Sequence, residues 1–369
     1  MKISVITVLN TRNYGTVLQT CATQEVFRKL GHDVEFVDYY RCDQTIKAGI
    51  DKNRKFSHHA PIVKSMFIPI FAMDQICRKY VFRSFLKRRV KLSSKSYYSN
   101  EELKVDTPIA DIYCTGSDQM WNSAWNNGLE KAFFLDYVPN GKKRISLSTS
   151  IGKTDWQQEE ADETVPLLQN YDYITVREET AKQLLGKYGI KSKVILDPTL
   201  LVDREFWVNM AGATAPIKEK YLFVYKLHQK HGDVNFDEYV KKIALEKGLK
   251  IKKVEYGFVE TIKRKHESIY LPSPEQFVQW LSHAEYVVTA SFHATAFSIN
   301  MNRQISVVCP EQFSTRIRNI LKLTNLESRI KTVESMPEEC TIDYSISNKI
   351  MREEREKSLS VIGEMIGQK

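Results

Sequence analysis

A histidine just past an apolar run is the most chemically suggestive feature of the sequence. In Thr289-Ala290-Ser291-Phe292-His293-Ala294-Thr295-Ala296-Phe297-Ser298 the run from Ala284 to Ala290 reads as a buried strand and the residues after it as a helix, which puts His293 at a strand-to-helix corner. In open α/β sheets ligands bind beyond the carboxyl ends of the strands, where following helices present N–H groups to anions. Ser291 is placed to cap that helix, although a βα turn whose polar residues only satisfy backbone would read the same way. A second cluster, Cys114-Thr115-Gly116-Ser117-Asp118-Gln119-Met120-Trp121-Asn122, crowds a carboxylate, amides and an indole into the loop after another strand. Arg177 ends the strand Tyr173 to Val176 and precedes a helix. Its guanidinium could grip a carboxylate or phosphate with two hydrogen bonds, or pair with Glu178 or Glu179. Arg316 and Arg318 follow the strand ending at Cys309, and one of them is expected to face a cleft.

The elements that must position these residues alternate. Ile3 to Leu9 reads as a strand, Val17 to Leu30 as a helix closed by Gly31, and Val34 to Tyr39 as a strand, a βαβ unit at the very start. Strands follow at Asp111 to Cys114, Arg144 to Ser148, Tyr173 to Val176 and Val194 to Leu196, with helices near Gln157 to Gln169 and Glu179 to Tyr188. A small-residue stretch, Met210 to Pro216, reads as a hinge. A second α/β pattern begins near Lys220, with strands at Tyr221 to Leu227, Lys250 to Glu255 and Ile305 to Cys309, and helices at Asn235 to Lys247 and Ser314 to Leu323. Ser273-Pro274-Glu275-Gln276 carries a capping signal with Pro at the first helical position. The expected organisation is a doubly wound N-terminal domain over 1–210, a second over 218–345, and a C-terminal helix over 346–369, with a cleft between the domains. At 369 residues, two domains are the default.

Composition narrows the class. The six cysteines include no CxxC pair, which argues against a metal centre or a disulfide framework, and no metal is expected. The first strand starts at once, without a cationic and apolar leader, so a cytoplasmic protein is expected. Asn10-Thr11-Arg12-Asn13-Tyr14-Gly15-Thr16 is neither GxGxxG nor a Walker A sequence, which weakens dinucleotide and P-loop readings. The net charge of +9 is concentrated. Residues 41–105 hold 15 Lys and Arg against 5 Asp and Glu, a surplus of 10, so the remainder nets −1. This stretch reads as a basic insertion. Its apolar run, Pro61 to Phe71, is too short to span a bilayer, which takes roughly 20 residues. The segment Arg78 to Arg89 has an apolar and a basic side, which suits either a solvated helix packed on the domain or an anionic membrane surface.

Taken together, the segments Asn13-Tyr14-Gly15-Thr16-Val17-Leu18-Gln19, Gly116-Ser117-Asp118-Gln119 with Trp121-Asn122, Val176-Arg177-Glu178, Asp197-Pro198-Thr199, Ser291-Phe292-His293 and Ser314 to Arg318 resemble the polysaccharide pyruvyl transferase family over nearly the whole chain. Ala294 stands where that family usually has glycine, and the basic stretch around Pro61 to Lys95 is not part of the pattern. The resemblance implies a GT-B-like α/β fold, with an acceptor side in the first domain and a donor side in the second. It also implies pyruvate transfer from phosphoenolpyruvate to a sugar of a surface or capsular polysaccharide or its lipid-linked precursor, forming a ketal without a cofactor. Carried onto this sequence, it makes His293, Arg177 and Asp118 the catalytic candidates. Asn13, Gly15, Ser117, Gln119, Trp121, Ser291 and Arg316 are the substrate-binding candidates, with Trp121 able to stack on a sugar. Expected partners are phosphoenolpyruvate, a sugar or lipid-linked oligosaccharide acceptor and the surface of an anionic membrane, but not nucleic acid. Two other readings fit the same residues: a GT-B-like glycosyltransferase with a nucleotide-sugar donor, and a non-catalytic protein that holds membrane or nucleic acid through the basic stretch.

Overall fold

The computed structural model describes residues 1–11, 13–41, 61–226, 234–263, 266–309, 315–332 and 340–367, and for 61–71, 234–235, 259–260 and 263 it describes the backbone alone. Arg12, Cys42 and the Phe313-Ser314 pair lie outside the described residues. The chain divides into two compact units, one of Met1–Pro198 with Ser360–Lys369 and the other of Thr199–Leu359.

The first unit runs β1 (Lys2–Ile6), α1 (Tyr14–Lys29), β2 (Asp33–Tyr39), α2 (Pro61–Arg89), β3 (Leu92–Tyr97), α3 (Asn100–Val105), β4 (Ile112–Thr115), α4 (Ser123–Asn126), β5 (Lys143–Thr149), α5 (Gln158–Leu168), β6 (Tyr173–Val176), α6 (Glu179–Lys187) and β7 (Lys193–Val194). Its sheet has the order β3-β2-β1-β4-β5-β6-β7, and every pairing is parallel. Both faces of such a sheet are covered by crossover helices, so its central strands are buried on both sides. In β1, Ile3, Val5 and Ile6 are all fully buried. Helix α1 ends as its sequence dictates. Gly31 takes φ +80°, Gly31 N–H donates to the Arg28 carbonyl and His32 N–H to that of Phe27, the paired bonds of a Schellman stop.

The second unit contains α7 (Pro198–Leu201, whose first residue clusters with the first unit), α8 (Arg204–Ala211), β8 (Tyr221–Tyr225), α9 (Val234–Glu246), β9 (Lys250–Glu255), α10 (Phe258–Lys263), β10 (Ser268–Tyr270), α11 (Pro274–Ser282), β11 (Tyr286–Thr289), α12 (Phe292–Asn300), β12 (Gln304–Val308), α13 (Thr315–Leu323), β13 (Ile330–Lys331) and α14 (Ser345–Ile366, whose residues from Ser360 on cluster with the first unit). Its sheet order is β10-β9-β8-β11-β12-β13, again wholly parallel. Helix α11 opens on the capping box expected of Ser273 and Gln276, with Pro274 at its start. The division falls before residue 210 because α8 is anchored inside this unit. The Trp207 indole donates to the Thr199 carbonyl and packs edge-on against Phe297, while the Asn300 amide donates to the Thr199 and Val202 carbonyls. The C-terminal helix is not a separate piece. Arg355 donates to the Leu200 carbonyl and to Asn300 in the second unit, and Glu364 accepts from Tyr173 and Lys193 in the first.

The described part of the basic stretch, from 61 on, supplies a crossover helix and the edge strand β3, which extend the doubly wound order on that side of β1. Phe82, Phe85 and Leu86 of α2 are buried, and Tyr14 of α1 meets Phe82 at 4.9 Å between ring centroids. Arg83 forms a two-pronged bond to buried Asp38 at 2.6 and 2.5 Å, and Ser96 donates to the same carboxylate at 2.7 Å. One guanidinium therefore joins α2 to the end of β2. Removing either partner strands the other charge in a largely dry site, at a cost of about 3–5 kcal/mol. Arg83→Ala should accordingly lower the urea midpoint of the first unit's transition; an unchanged midpoint would mean that α2 is an appendage after all.

Candidate functional site

Both sheets reverse strand order next to a central strand, between β1 and β4 in the first unit and between β8 and β11 in the second. These switch points are where doubly wound sheets open a crevice at their carboxyl edge. The loop carrying Asp118 follows β4, and the corner carrying His293 follows β11. Each candidate cluster thus occupies the topologically favoured place in its own unit.

In the first unit the loop after β4 is pressed against the end of β1 by Gly116, where a Cβ would lie 2.9 Å from the Thr7 side chain. Asp118 follows with φ +84°, a left-handed backbone that costs a non-glycine residue roughly 1–3 kcal/mol. Its carboxylate compensates locally. Oδ2 accepts from the Thr16 hydroxyl in the first turn of α1 at 2.5 Å, and Oδ1 accepts from the Gln119 N–H at 2.9 Å. Strand β5 contributes a second irregularity. Its register with β6 shifts between Ser146 and Thr149, Ser148 takes φ +51°, and Thr149 then pairs with Asp118. Bulges of this kind re-aim side chains at strand ends, frequently next to active sites.

Arg177 sits beneath this loop with its side chain 2 % exposed. It pairs with Asp197 at 2.7 Å, Asp118 at 3.6 Å and Glu178 at 3.7 Å. Burial disfavours the guanidinium charge, but Asp197, Asp118 and Glu178 outweigh it and hold its pKa above the ordinary arginine value. The carboxylates are themselves tethered. Asp197 also accepts from Ser117, and Glu178 accepts from the Ser150 hydroxyl and the Ile151 and Gly152 N–H groups. Among the described residues, one guanidinium is thus set among three carboxylates.

The remaining expected site residues are mostly engaged within the unit. Arg177 grips internal carboxylates, Asp197 at 2.7 Å and Asp118 at 3.6 Å. Ser117 is fully buried and bridges the Ser148 carbonyl and Asp197. Trp121 lies in the core, donating to the Phe133 carbonyl and packed against Phe134 and Tyr171, which leaves no face for a sugar. Asn13 caps α1 by accepting from Gly15 N–H at 2.9 Å, so these two serve the helix start. Gln119 Oε1 accepts from Asn122 at 2.5 Å beneath Gly152, where a Cβ would meet both amides at 2.5 Å. Thr16, Asp197 and Glu178 complete the cluster. Thr16 and Asp197 lie inside the sequence segments that carry the resemblance, though neither was singled out there.

The second unit's corner has the opposite character. His293 is the second residue of α12 and 4 % exposed. Ser291 occupies the cap position, but its hydroxyl makes no capping bond; its N–H donates to Thr289 Oγ1. The Phe292 ring lies 5.2 Å from the imidazole, and the Arg316 guanidinium stands over that ring at 5.9 Å. The Tyr225 carbonyl, at the end of β8, accepts from Thr289 Oγ1 and Ala290 N–H, which ties the next residue, Lys226, to the same corner. Lys226 is 7 % exposed, with its ammonium 4.8 Å from the Phe236 ring centroid. The expectation of a strand through Leu227 concealed it; β8 stops at Tyr225, Lys226 follows it, and Leu227 lies outside the described residues. A cavity of about 450 Å³ lined by Lys142, Arg144, Asp172 and Glu364 opens at the starts of β5 and β6, the edge opposite to the first unit's cluster.

The family description "Polysaccharide pyruvyl transferase" matches residues 13–306. The chain belongs to that family. This polysaccharide pyruvyl transferase is accordingly a transferase enzyme, and no curated protein matches it significantly. Its fold is similar to that of S. aureus MnaA in a co-structure with UDP, at 10 % identity and a TM-score of 0.51, covering 100 % of this chain and 97 % of that one. It is likewise similar to a putative UDP-N-acetylglucosamine 2-epimerase from Listeria monocytogenes, at 10 % identity and a TM-score of 0.50, covering 97 % and 90 %. These likenesses show a GT-B-like fold of two doubly wound α/β domains.

Arg177→Ala in the pyruvyl transferase removes the guanidinium on which Asp197, Asp118 and Glu178 converge. The expected loss is about 3–5 kcal/mol by urea unfolding; an unchanged midpoint would favour Arg177 as a substrate ligand over a structural cation.

Proposed function

We propose that the enzyme transfers pyruvate from phosphoenolpyruvate to two hydroxyls of a sugar unit in a surface polysaccharide or its lipid-linked precursor, closing a ketal. The observation that supports this most is the charge contrast between the two switch points. Lys226 follows the strand end that bonds the second unit's corner, where Arg316 stands over Phe292 beside His293, while Asp118, Asp197 and Glu178 gather around Arg177 in the first. A donor with a carboxylate and a phosphate suits the cationic corner. A neutral polyhydroxyl acceptor suits the carboxylates, which accept from hydroxyls without charge repulsion.

The chemistry follows from the donor. A proton delivered to the methylene carbon of the enol leaves positive charge on the adjacent carbon. One sugar hydroxyl attacks that carbon and gives up its proton, and phosphate departs with the C–O bond electrons. A second hydroxyl then attacks and loses its proton, so the products are the ketal and inorganic phosphate. In this reading His293 supplies the proton or holds the phosphate, Lys226 and Arg316 balance the anionic donor, and Asp118 accepts a hydroxyl proton. The left-handed backbone at Asp118 and the Thr16 hydrogen bond fix the direction of that carboxylate. A nucleotide-sugar donor is the competing reading, favoured by the fold shared with UDP-bound MnaA.

Phosphate release from phosphoenolpyruvate, assayed with galactose-, glucose-, mannose- and N-acetylmannosamine-containing acceptors, tests the proposal. Release should depend on one acceptor, disappear in His293→Ala, and survive in Lys226→Met with a KM for phosphoenolpyruvate raised at least about tenfold, the scale of a lost charge-assisted hydrogen bond. Asp118→Asn should lower kcat more than that KM. A thermal shift with sugar nucleotides and none with phosphoenolpyruvate would instead select the glycosyltransferase reading.

A further inference from the structure

The carboxyl edge of the first sheet holds a pair of tyrosines in the same row as the Asp118 loop. Register fixes the row. Val5 pairs with both Phe36 and Cys114, so Tyr40 and Asp118 lie equally far beyond that level, and the pairing of Tyr39 with Tyr97 puts Tyr98 alongside Tyr40. In the order β3-β2-β1-β4 the ends of β3 and β4 are three strand spacings apart, roughly 14 Å at about 4.8 Å each.

At the β3 end of the row the Tyr98 ring stacks on Tyr40, with 5.3 Å between centroids and 23° between planes. Tyr40 is also held by cations of α2: the Arg83 guanidinium and the Lys79 ammonium lie 5.5 and 5.8 Å from its centroid, and Arg83 is clamped by Asp38. Tyr98, by contrast, is 61 % exposed. The result is an open aromatic ring on a fixed base. Arg41, the next residue after Tyr40, joins that base to the Asp118 loop. It donates to Asn126 at 2.5 Å, and the Asn126 amide donates to the Gln119 and Met120 carbonyls.

We propose that Tyr98 is a remote acceptor subsite, on which one ring of the glycan stacks while another unit of the same chain reaches the Asp118 loop. This rests on the reading of the first unit as the sugar-binding side. The family description names a polysaccharide, and a chain that brings one unit to Asp118 must lay others along the surface. The gap between the strand ends exceeds a single pyranose ring, so it suits a chain and not a lone sugar. The stack suits a pyranose chemically. Axial C–H bonds give one side of the sugar an apolar, slightly positive face that matches the negative face of an aromatic ring, while its hydroxyls stay in water. A protein partner would need a wide surface with an apolar core, whereas Tyr98 is followed by Ser99, Asn100, Glu101 and Glu102. A nucleotide base stacks on tyrosine as well, and it forms the contrary arm of the test.

The experiment is isothermal titration of the full chain, without donor, with linear tetrasaccharides of galactose, glucose, mannose or N-acetylmannosamine, each beside its methyl glycoside. At least one tetrasaccharide should bind the wild type at least about fivefold more tightly than its methyl glycoside, the scale of one aromatic contact. Tyr98→Ala should erase that preference with an unchanged melting curve, and Tyr98→Phe, which keeps the ring, should retain it. A wild type that never prefers the longer ligand overturns the proposal, as does a preference that survives Tyr98→Ala. UDP binding that is lost in Tyr98→Ala and indifferent to every tetrasaccharide also overturns it, by assigning the ring to a base. Because the titration contains no donor, failure of phosphoenolpyruvate to release phosphate leaves the chain-length preference to stand or fall by itself.

Discussion

The ion cluster around Arg177 is the constraint on which the first unit's chemistry depends. A guanidinium with a 2 % exposed side chain is stable there only because carboxylates from three separate loops converge on it. Those loops follow β4, β6 and β7, and a fourth, after β5, is held through Glu178. The carboxyl edge of the sheet is therefore fastened as one object. Asp118 can keep a left-handed backbone because its carboxylate is fixed from three directions, by Thr16, by its neighbour's N–H and by Arg177. Local strain of this sort persists only where its surroundings over-determine it.

The two units use one topology to opposite electrostatic ends. Each reverses strand order beside its first strand, and each puts its most reactive side chains in the loop or helix that follows the neighbouring strand. In one the loop holds acids around a single base; in the other the corner holds an imidazole, an ammonium and a guanidinium beside aromatic rings. Fold alone sets neither character. The difference lies in a few residues at equivalent strand ends, where substitution leaves the sheet core intact.

Element types and their alternation were largely legible, because fully apolar strands such as Tyr221–Tyr225 alternate with amphipathic helices and because caps such as Ser273-Pro274 and stops such as Gly31 are local signals. The edge strand Leu92–Tyr97 was not, since its alternation is broken by serines and lysine and it is held by β2 and the Asp38–Arg83–Ser96 bonds. The strand ends that carry His293 and Asp118 were visible in hydropathy. Whether a polar residue there faces substrate or an internal partner could not be found, because that depends on contacts between loops far apart in sequence. Arg177 with Asp197, Ser117 with Ser148, and Trp121 with Phe133 all show this.

The first unit is also discontinuous, and this orders its biosynthesis. Glu364, which accepts from Tyr173 and Lys193, emerges from the ribosome only after every residue of the second unit has been made. The nascent first unit has every strand of its seven-stranded sheet by Val194 and can fold early, but its flank near β6 and β7 stays uncovered until Ser360–Lys369 is made. The unit begun first is therefore also the last to receive its final residues.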